Sequence, residues 1–188
     1  MKIVLLFIAL LVLPFSSYSK SLGGIYMTFS DFKNNKLACE SESGKRETIH
    51  VHDFFWNMPN IVVRCNGKKH SYKKSELYGF RDGKNEVYRF YHNTEYRIAE
   101  AGNICIYVQE KNIAQSKGYK VVNAYYFSVD ADSEILPLTF GDLKSAYKTN
   151  DKFSDLLSQF FTNANVCAYD NKHNTFKVNY VYAKAINR

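Results

Sequence analysis

Apolar and polar residues alternate in short runs through residues 36 to 128, and turn residues separate the runs. In the segment 104–110, for example, Ile104, Ile106 and Val108 alternate with Cys105 and Tyr107. Alternation with a period of two predicts strands that bury one face. The predicted strands are 37–41, 48–56, 60–65, 68–72, 77–81, 86–91, 95–100, 104–110 and 119–128.

Two dipeptides indicate how these strands are connected. Asn66-Gly67 separates the segments 60–65 and 68–72, and Asp82-Gly83 lies between 77–81 and 86–91. Both dipeptides favour the tight turns of β-hairpins. The chain from residue 36 to residue 128 is therefore predicted to be a meander of antiparallel strands.

The period changes to that of a helix after residue 139. In the segment 152–162, the apolar residues recur three and four positions apart, which predicts an amphipathic helix. Asn150 or Asp151 is a suitable N-cap for it, and a second helix is predicted at 142–148. The apolar stripe of the first helix is made of Phe153, Leu156, Leu157, Phe160 and Phe161.

Two further segments have less regular patterns. Thr28 with Asp31 three residues later predicts a short capped helical turn. In the tail, 175–185, Phe176 and Tyr180 fit either an alternating strand or a helical stripe, and we predict a strand. The predicted fold class is α+β, with an antiparallel β meander or partly closed barrel at residues 36 to 128 packed against C-terminal helices at 139 to 163.

The amino terminus has the pattern of a secretory signal peptide. Lys2 precedes an apolar run from residue 3 to residue 13, and the small residues Ser17 and Ser19 follow it. The run is about half the roughly 20 residues of a transmembrane helix. Residues 1–19 are predicted to be removed. The remaining residues, 20–188, are predicted to form one globular domain without a transmembrane segment. This domain is expected in the periplasm, at the cell surface or outside the cell.

The four cysteines are Cys39, Cys65, Cys105 and Cys167. An even number of widely spaced cysteines in an exported chain is compatible with disulfides, and three pairings are open. We predict Cys39 with Cys65 and Cys105 with Cys167, with buried free thiols as the alternative. A zinc site is not predicted, because no Cys-x-x-Cys pair occurs.

The chain has a net charge of +7, and its densest basic cluster lies on the first predicted hairpin. Lysines around an aromatic ring can bind phosphates or anionic glycans. The alternative is a hairpin edge that lysine keeps from aggregating. The predicted binding residues are Lys68, Lys69, Tyr72, Lys73 and Lys74.

Two groups are weak candidates for a metal. His50 and His52 would share one strand face, but the sequence supplies no third ligand. Asp130, Asp132 and Glu134 resemble the start of a calcium loop, but the glycine and the final acid of such a loop are missing. We therefore interpret the histidines as surface residues and the acids as a solvated connection.

An aromatic group on the predicted strand 48–56 has two interpretations. Trp56, together with Phe54, Phe55 and Tyr72, could form a platform for sugars, although such residues more often belong to a core. Motifs for a catalytic serine, a phosphate loop, a dinucleotide or a zinc protease do not occur. No cofactor is predicted, and whether the chain is an enzyme stays open, with a non-enzyme favoured.

Six segments of the chain carry a family resemblance: GIYMTFSDF (24–32), YGFRDG (78–83), YRF (88–90), IY (106–107), LT (138–139) and DLK (142–144). They resemble a family of uncharacterised exported proteins of Bacteroidetes. The resemblance implies a periplasmic or surface location and no particular activity.

The leading functional hypothesis is a non-catalytic binding or envelope-associated protein. Its expected partner is an anionic envelope polymer or another envelope protein, and nucleic acid is not expected. The alternative is a secreted hydrolase whose catalytic residues come from distant parts of the chain, which would leave no local motif.

Overall fold

The computed structural model describes residues 23–39, 49–50, 58–65, 67–162 and 164–187. The predicted signal peptide, His52 and the aromatic residues at 54–56 lie outside these residues. The strands are β1 (Gly24–Tyr26), β2 (Ile49–His50), β3 (Asn60–Cys65), β4 (Lys68–Lys73), β5 (Gly79–Arg81), β6 (Val87–Tyr91), β7 (Thr94–Ala101), β8 (Cys105–Gln115), β9 (Gly118–Ser128), β10 (Leu136–Pro137), β11 (Tyr169–Asp170) and β12 (Thr175–Phe176). The helices are α1 (Phe29–Lys33), α2 (Phe140–Ala146), α3 (Asp151–Phe161) and α4 (Lys177–Ile186).

A seven-stranded antiparallel sheet dominates the fold, in the order β1-β5-β6-β7-β8-β9-β10. From β5 onward each strand lies beside the next in the chain, so the predicted meander is confirmed. The sheet is open, with β1 and β10 at its edges, and it does not close into the barrel that was the alternative. It also includes residues on both sides of the predicted limits, 36 and 128.

A smaller sheet, in the order β2-β3-β4, packs on one end of the large sheet. The tight turn predicted between β3 and β4 is present, and Gly67 adopts a φ of +76°, which a side chain would disfavour. Ile61 and Val63 of β3 are fully buried. They form a core cluster with Ile25 and Phe80 of the large sheet.

Helices α2, α3 and α4 pack together on the part of the large sheet formed by β8 and β9. Ile106 of β8 and Phe127 of β9 lie in one buried cluster with Leu143 of α2, Leu157 of α3 and Val181 of α4. Burying this apolar surface is the main source of stability in this part of the fold. Within the described residues, no helix has both the length and the apolar character needed to cross a membrane.

The starts of α1 and α3 follow the sequence predictions, whereas α2 begins two residues before the predicted segment. Asn150 accepts a hydrogen bond from the Phe153 amide at 3.0 Å, and Phe153, Leu157 and Phe161 bury one side of α3. Thr28 forms a capping box with Asp31 at the start of α1. Local patterns were sufficient to predict both features, because each depends on residues within one or two helical turns.

The tail prediction was wrong, because most of the segment forms α4 rather than a strand. Val178, Val181 and Ala185 are buried on one side of this helix, at the spacing expected for a helical stripe. The alternating pattern was misleading because Tyr180 and Tyr182 are half-buried on its flanks. Of the predicted strand at 37–41, residues 37–39 are described, and among them Ala38 forms a single bridge with Ile25.

The structure contains one of the two predicted disulfides. Cys39 is bonded to Cys65, with 5.1 Å between their Cα atoms. The second predicted pair is wrong, because Cys105 and Cys167 are free thiols. Cys105 lies in a cluster with Tyr107 on the sheet face away from the helices, whereas Cys167 packs against the helical core. The sheet therefore separates the two thiols.

Candidate functional site

The β3–β4 hairpin presents a basic outer face. Directly opposite residues of an antiparallel pair share a face, and the register pairs Arg64 with Lys69 and Asn60 with Lys73. Ile61 and Val63, which alternate with these positions, point into the core. The three cations Arg64, Lys69 and Lys73 therefore lie together on the outside of the hairpin, where all three are exposed.

Arg64 and Lys69 are two like charges in directly opposite positions. Side chains in such pairs have Cβ atoms about 4.5–5.5 Å apart, and like charges there destabilise the sheet. Neither residue forms an ion pair with an acid in the described part of the chain. Lys73 lies 3.5 Å from Glu76, but both side chains are more than half exposed, so this pair neutralises little of the charge.

The opposite face of β4, which is turned toward the core, carries Tyr72, Lys68 and His70. The Tyr72 ring is half-buried, its hydroxyl lies 3.9 Å from Cys39 Sγ, and it packs on the core cluster beneath the hairpin. His70 stacks against it at 6.4 Å between ring centroids. Tyr72 therefore holds the hairpin in place, and Lys68 and His70 are exposed at its rim.

Lys74 does not belong to the exposed cluster predicted from the sequence. Its side chain is fully buried, and its Nζ lies 2.9 Å from Glu95 Oε1. The same ammonium lies 5.9 Å from the centre of the Phe90 ring. Lys74 is thus a buried structural residue.

Arg64 is a residue of the exposed basic face that the sequence analysis did not select. The Asn66-Gly67 turn fixes the register that places Arg64 opposite Lys69, so Arg64 could have been identified from the sequence.

A second polar cluster surrounds Arg89, on the face of the large sheet away from the helices. Arg89 is buried, and its guanidinium donates to Tyr107 Oη at 3.0 Å and to the carbonyls of Asp132 and Ser133 at 3.1 and 2.7 Å. The Tyr78 and Tyr91 rings each lie 5.6 Å from the guanidinium carbon. This cation is satisfied by carbonyls, a hydroxyl and aromatic rings.

The residues around Arg89 are unsuited to proton transfer at neutral pH. Burial raises the pKa of Tyr107 and of Cys105, so both groups stay protonated. Burial also raises the pKa of Tyr78, whose hydroxyl donates to the Ala131 carbonyl at 2.7 Å. We interpret the cluster as the contact that fixes the 129–133 loop against the sheet.

The acidic segment after β9 forms a turn within this contact. Asp130 Oδ1 accepts hydrogen bonds from the amides of Asp132 and Ser133, and a side-chain hydrogen bond with Ser133 lowers the pKa of Asp130. The carbonyls of Asp132 and Ser133 face the Arg89 guanidinium, which would repel a cation. In the part of the chain that the structure describes, no group of three potential ligands could hold a metal.

Two histidines bear on a possible site: His50, a metal candidate from the sequence, and His173, whose neighbours are visible only in the structure. The backbone of His50 pairs with Val62, but its predicted partner His52 lies outside the described residues. His173, which the sequence analysis did not select, lies with Nδ1 2.8 Å from Asp170 Oδ2, and this hydrogen bond lowers the pKa of Asp170. Its ring stacks on Tyr180 at 4.1 Å.

The His173–Asp170 pair resembles the base and its orienting acid in a hydrolase. However, no hydroxyl or thiol of a described residue hydrogen-bonds the His173 ring. The nearby thiol of Cys167 instead donates to the Leu138 carbonyl at 3.6 Å, and burial raises its pKa. Among the described residues, the His173–Asp170 pair therefore lacks the hydrogen-bonded nucleophile that such an arrangement needs.

The exposed basic face of the hairpin is therefore the best candidate for a functional site. Its cations Arg64 and Lys69 form no ion pair with an acid of the described residues, and Lys73 has only the exposed Glu76 beside it. Comparison with protein-family models, with curated proteins and with solved structures finds no match to this chain.

Proposed function

We propose that this chain is an exported, non-catalytic protein that binds an anionic polymer of the cell envelope on the outer face of the β3–β4 hairpin. The observation that carries the proposal is the exposed pair of Arg64 and Lys69. A phosphate, sulfate or carboxylate between the two side chains would replace their repulsion by two attractive interactions. Arg64 adds geometric preference, because a guanidinium can bind two oxygens of one anion.

The spacing of the cations favours a repeating ligand. Lys73 follows Lys69 by four residues on β4, so the two are separated by about 13 Å along the strand. One small anion cannot contact both positions, whereas a polymer with charged groups along its length can.

Two observations support export. Residues 1–19 have the signal-peptide pattern, and Cys39 is bonded to Cys65, which lies beside the turn of the same hairpin. Disulfides persist in oxidising compartments such as the periplasm and the extracellular space. Residues 20–188 would then be the mature protein, and the resemblance to exported Bacteroidetes proteins favours the periplasm or the cell surface.

A charge-neutral variant tests the proposal. We expect the parent protein to be retained on immobilised dextran sulfate but not on uncharged dextran, and to elute as salt screens the charges. The triple substitution Arg64→Gln, Lys69→Gln, Lys73→Gln should weaken binding about ten- to a hundredfold, because each exposed charge contributes roughly 0.5–1 kcal/mol. Binding is measured by isothermal titration with soluble dextran sulfate.

The matched control removes the same charge from the helical end of the molecule. Lys144, Lys148 and Lys172 are exposed, so changing all three to glutamine should preserve both the fold and the binding. An equal loss of binding in the two triple variants would mean that only net charge matters and would contradict the proposed site. Lys74 is left unchanged in both variants, since it is buried.

The secreted hydrolase that the sequence leaves open has less support. Its best candidate residues are His173 and Asp170, but the nearest thiol, that of Cys167, bonds a carbonyl instead. The other alternative, docking to an envelope protein, would use the same basic face and would require an acidic partner surface. The polymer is preferred because the charges are spread along a strand.

A further inference from the structure

The disulfide between Cys39 and Cys65 lies within the positive field of the basic hairpin. Cys65 is the last residue of β3, and the register places it directly opposite Lys68 of β4. Directly opposite side chains of an antiparallel pair have Cβ atoms about 4.5–5.5 Å apart, so the lysine ammonium can reach the Cys65 sulfur. Arg64 precedes Cys65 in the chain. A negative charge that develops on this sulfur would therefore be stabilised.

The bond is accessible, and one of its residues has a strained backbone. Both cysteines are half-buried rather than enclosed in the core. Cys39 adopts a φ of +55°, in the left-handed region, which a residue with a Cβ atom occupies at a cost. Exposed or strained disulfides are reduced more readily than buried ones, and the labile disulfides of proteins are often regulatory.

The two sulfurs differ in their neighbours. When a thiolate attacks a disulfide, the sulfur that is not attacked leaves with a negative charge, and a nearby cation makes it a better leaving group. Lys68 provides such a cation for Cys65. Cys39 is followed in the chain by Glu40, whose charge disfavours a thiolate beside it, and its sulfur lies 3.9 Å from the Tyr72 hydroxyl. An attacking thiolate is therefore expected to bond to Cys39 and displace Cys65.

We propose that this disulfide is a redox switch for the basic face: a protein dithiol opens the bond and thereby weakens polymer binding, and bound polymer slows the opening. The inference rests on the proposed function. In the first step a thiolate of the dithiol bonds to Cys39, and the electron pair of the broken bond goes to Cys65, which is then protonated. The second thiol of the dithiol displaces Cys39, which is protonated in turn. The chain gains two electrons and two protons, and the dithiol becomes a disulfide.

Two effects couple the bond to the polymer. The bond ties the end of β3, next to Arg64, to the segment in which Ala38 bridges Ile25 of the large sheet. Without this tie the cations are less well ordered before binding, and ordering them on a ligand costs affinity. In the other direction, a bound polyanion neutralises the cations that would stabilise the leaving sulfur. The coupling is reciprocal, because the factor by which reduction weakens binding is also the factor by which the polymer disfavours reduction.

The first experiment measures the rate of reduction without polymer. The protein is treated with dithiothreitol at neutral pH, denatured and alkylated, and mass spectrometry follows Cys39 and Cys65. Lys68→Gln should slow reduction about three- to tenfold, because the leaving sulfur loses its cation. Lys68→Arg should keep the parent rate, since the charge is retained. Lys148→Gln removes an exposed charge from the helical end and is the matched control. A parent-like rate for Lys68→Gln would overturn the proposal.

The second experiment adds the polymer. Saturating soluble dextran sulfate should slow reduction of the parent protein at least about tenfold, uncharged dextran should have no effect, and the triple variant Arg64→Gln, Lys69→Gln, Lys73→Gln should lose the protection. Isothermal titration in dithiothreitol should find binding about three- to tenfold weaker than for the oxidised protein, with circular dichroism as the test of folding.

The outcomes distinguish the switch from the binding on which it rests. Oxidised protein that binds dextran sulfate but is not protected by it, or folded reduced protein that binds equally well, would overturn the switch and leave the proposed function intact. Absence of binding by the oxidised protein would overturn both. The protection assay starts from the oxidised protein, so it decides the proposal even where the reduced protein unfolds.

Discussion

At the residue scale, two consecutive lysines have opposite environments. Lys73 ends β4 with its side chain 66% exposed, whereas the side chain of Lys74 is fully buried against Glu95. Burying an ammonium is costly unless a counter-charge accompanies it, and Glu95, which is 19% exposed, supplies that charge. The Lys74 amide also donates to the Pro59 carbonyl at 2.8 Å, which fixes where the chain leaves β4.

This difference predicts unequal effects of the same substitution. Lys74→Met should lower the free energy of unfolding by about 3 kcal/mol, at the lower end of the range for breaking a buried pair because Glu95 keeps some contact with water. Lys73→Met should change it by less than about 0.5 kcal/mol. Urea unfolding followed by circular dichroism measures both. Equal effects would mean that Lys74 is not buried in solution.

Arg89 illustrates a different way to bury a cation. No carboxylate of a described residue contacts its guanidinium, which donates to two backbone carbonyls and the Tyr107 hydroxyl and is enclosed by aromatic rings. Carbonyl oxygens and ring faces are weaker partners than a carboxylate, but together they satisfy several donors. The consequence is structural, since the 129–133 loop is held on a sheet face that would otherwise be open.

At the element scale, the last helix depends on a residue of a distant strand. Phe176, at the N-cap of α4, offers no side-chain cap, and its amide donates to Glu100 Oε2 at 2.7 Å. Thr175 Oγ1 and Asn179 Nδ2 donate to Glu100 Oε1 at 2.6 and 2.8 Å. The carboxylate thus satisfies three donors at the positive end of the helix.

Removing this acceptor should destabilise the C-terminal half of the molecule. Glu100→Ala is expected to cost about 2–3 kcal/mol, because the three donors lose a charged acceptor, and Glu100→Gln roughly half as much, because one oxygen is kept. Thermal unfolding should then move down by about 4–12 °C for the alanine variant. Glu110→Ala, at an exposed position of β8, is the control and should leave the midpoint nearly unchanged. Identical midpoints for all variants would contradict this capping role.

The contact between Glu100 and α4 shows why some elements could be predicted from the sequence and others could not. Hairpins at Asn66-Gly67 and Asp82-Gly83, and the stripe of α3, depend on neighbours in the chain, and the sequence analysis predicted them. The tail was wrongly assigned to a strand. Its helix is stabilised by Glu100, which is 76 residues from Phe176 in the chain and therefore contributes nothing to the local pattern. The burial of Lys74 likewise depends on Glu95. Long-range partners of this kind leave no local pattern.

The candidate site likewise contains residues that the sequence identified and residues whose positions depend on the fold. The exposed Lys68, Lys69 and Lys73 were found from charge density alone, and Arg64 could have been added from the register of the predicted turn. Tyr72 was expected to contact a ligand, but its neighbours in the structure are the core and the disulfide. A strand alternates its side chains between two faces, so a dense cluster in sequence is divided between them in the fold.

At the scale of the whole molecule, the disulfide joins the two sheets. Cys65 ends β3 of the small sheet, and Cys39 follows Ala38, which bridges Ile25 of the large sheet. The bond closes a loop with a sequence separation of 26 residues, for which the chain-entropy model gives a stabilisation of about 3.5 kcal/mol. The basic hairpin is therefore held by a covalent bond as well as by its buried apolar residues.

This arrangement predicts the state of every cysteine in the protein from its own host. Without reduction, iodoacetamide should label Cys105 and Cys167 slowly in the folded protein, because burial raises the pKa of both thiols and lowers the fraction of reactive thiolate at neutral pH. Labelling should become faster as the pH rises toward those pKa values. In denaturant these two thiols should react fully, and Cys39 and Cys65 should react only after reduction.

Mass spectrometry of the labelled protein assigns the sites and also reports the first residue of the chain. An exported protein should begin near Lys20 and contain the bond, because the oxidising compartment and the loss of residues 1–19 have the same cause. Protein expressed in the cytoplasm from Lys20 onward is the control, and reducing conditions there should leave all four cysteines open to labelling in denaturant. Labelling of Cys39 or Cys65 in unreduced protein from the host would contradict the disulfide, and a chain that begins at Met1 would contradict export.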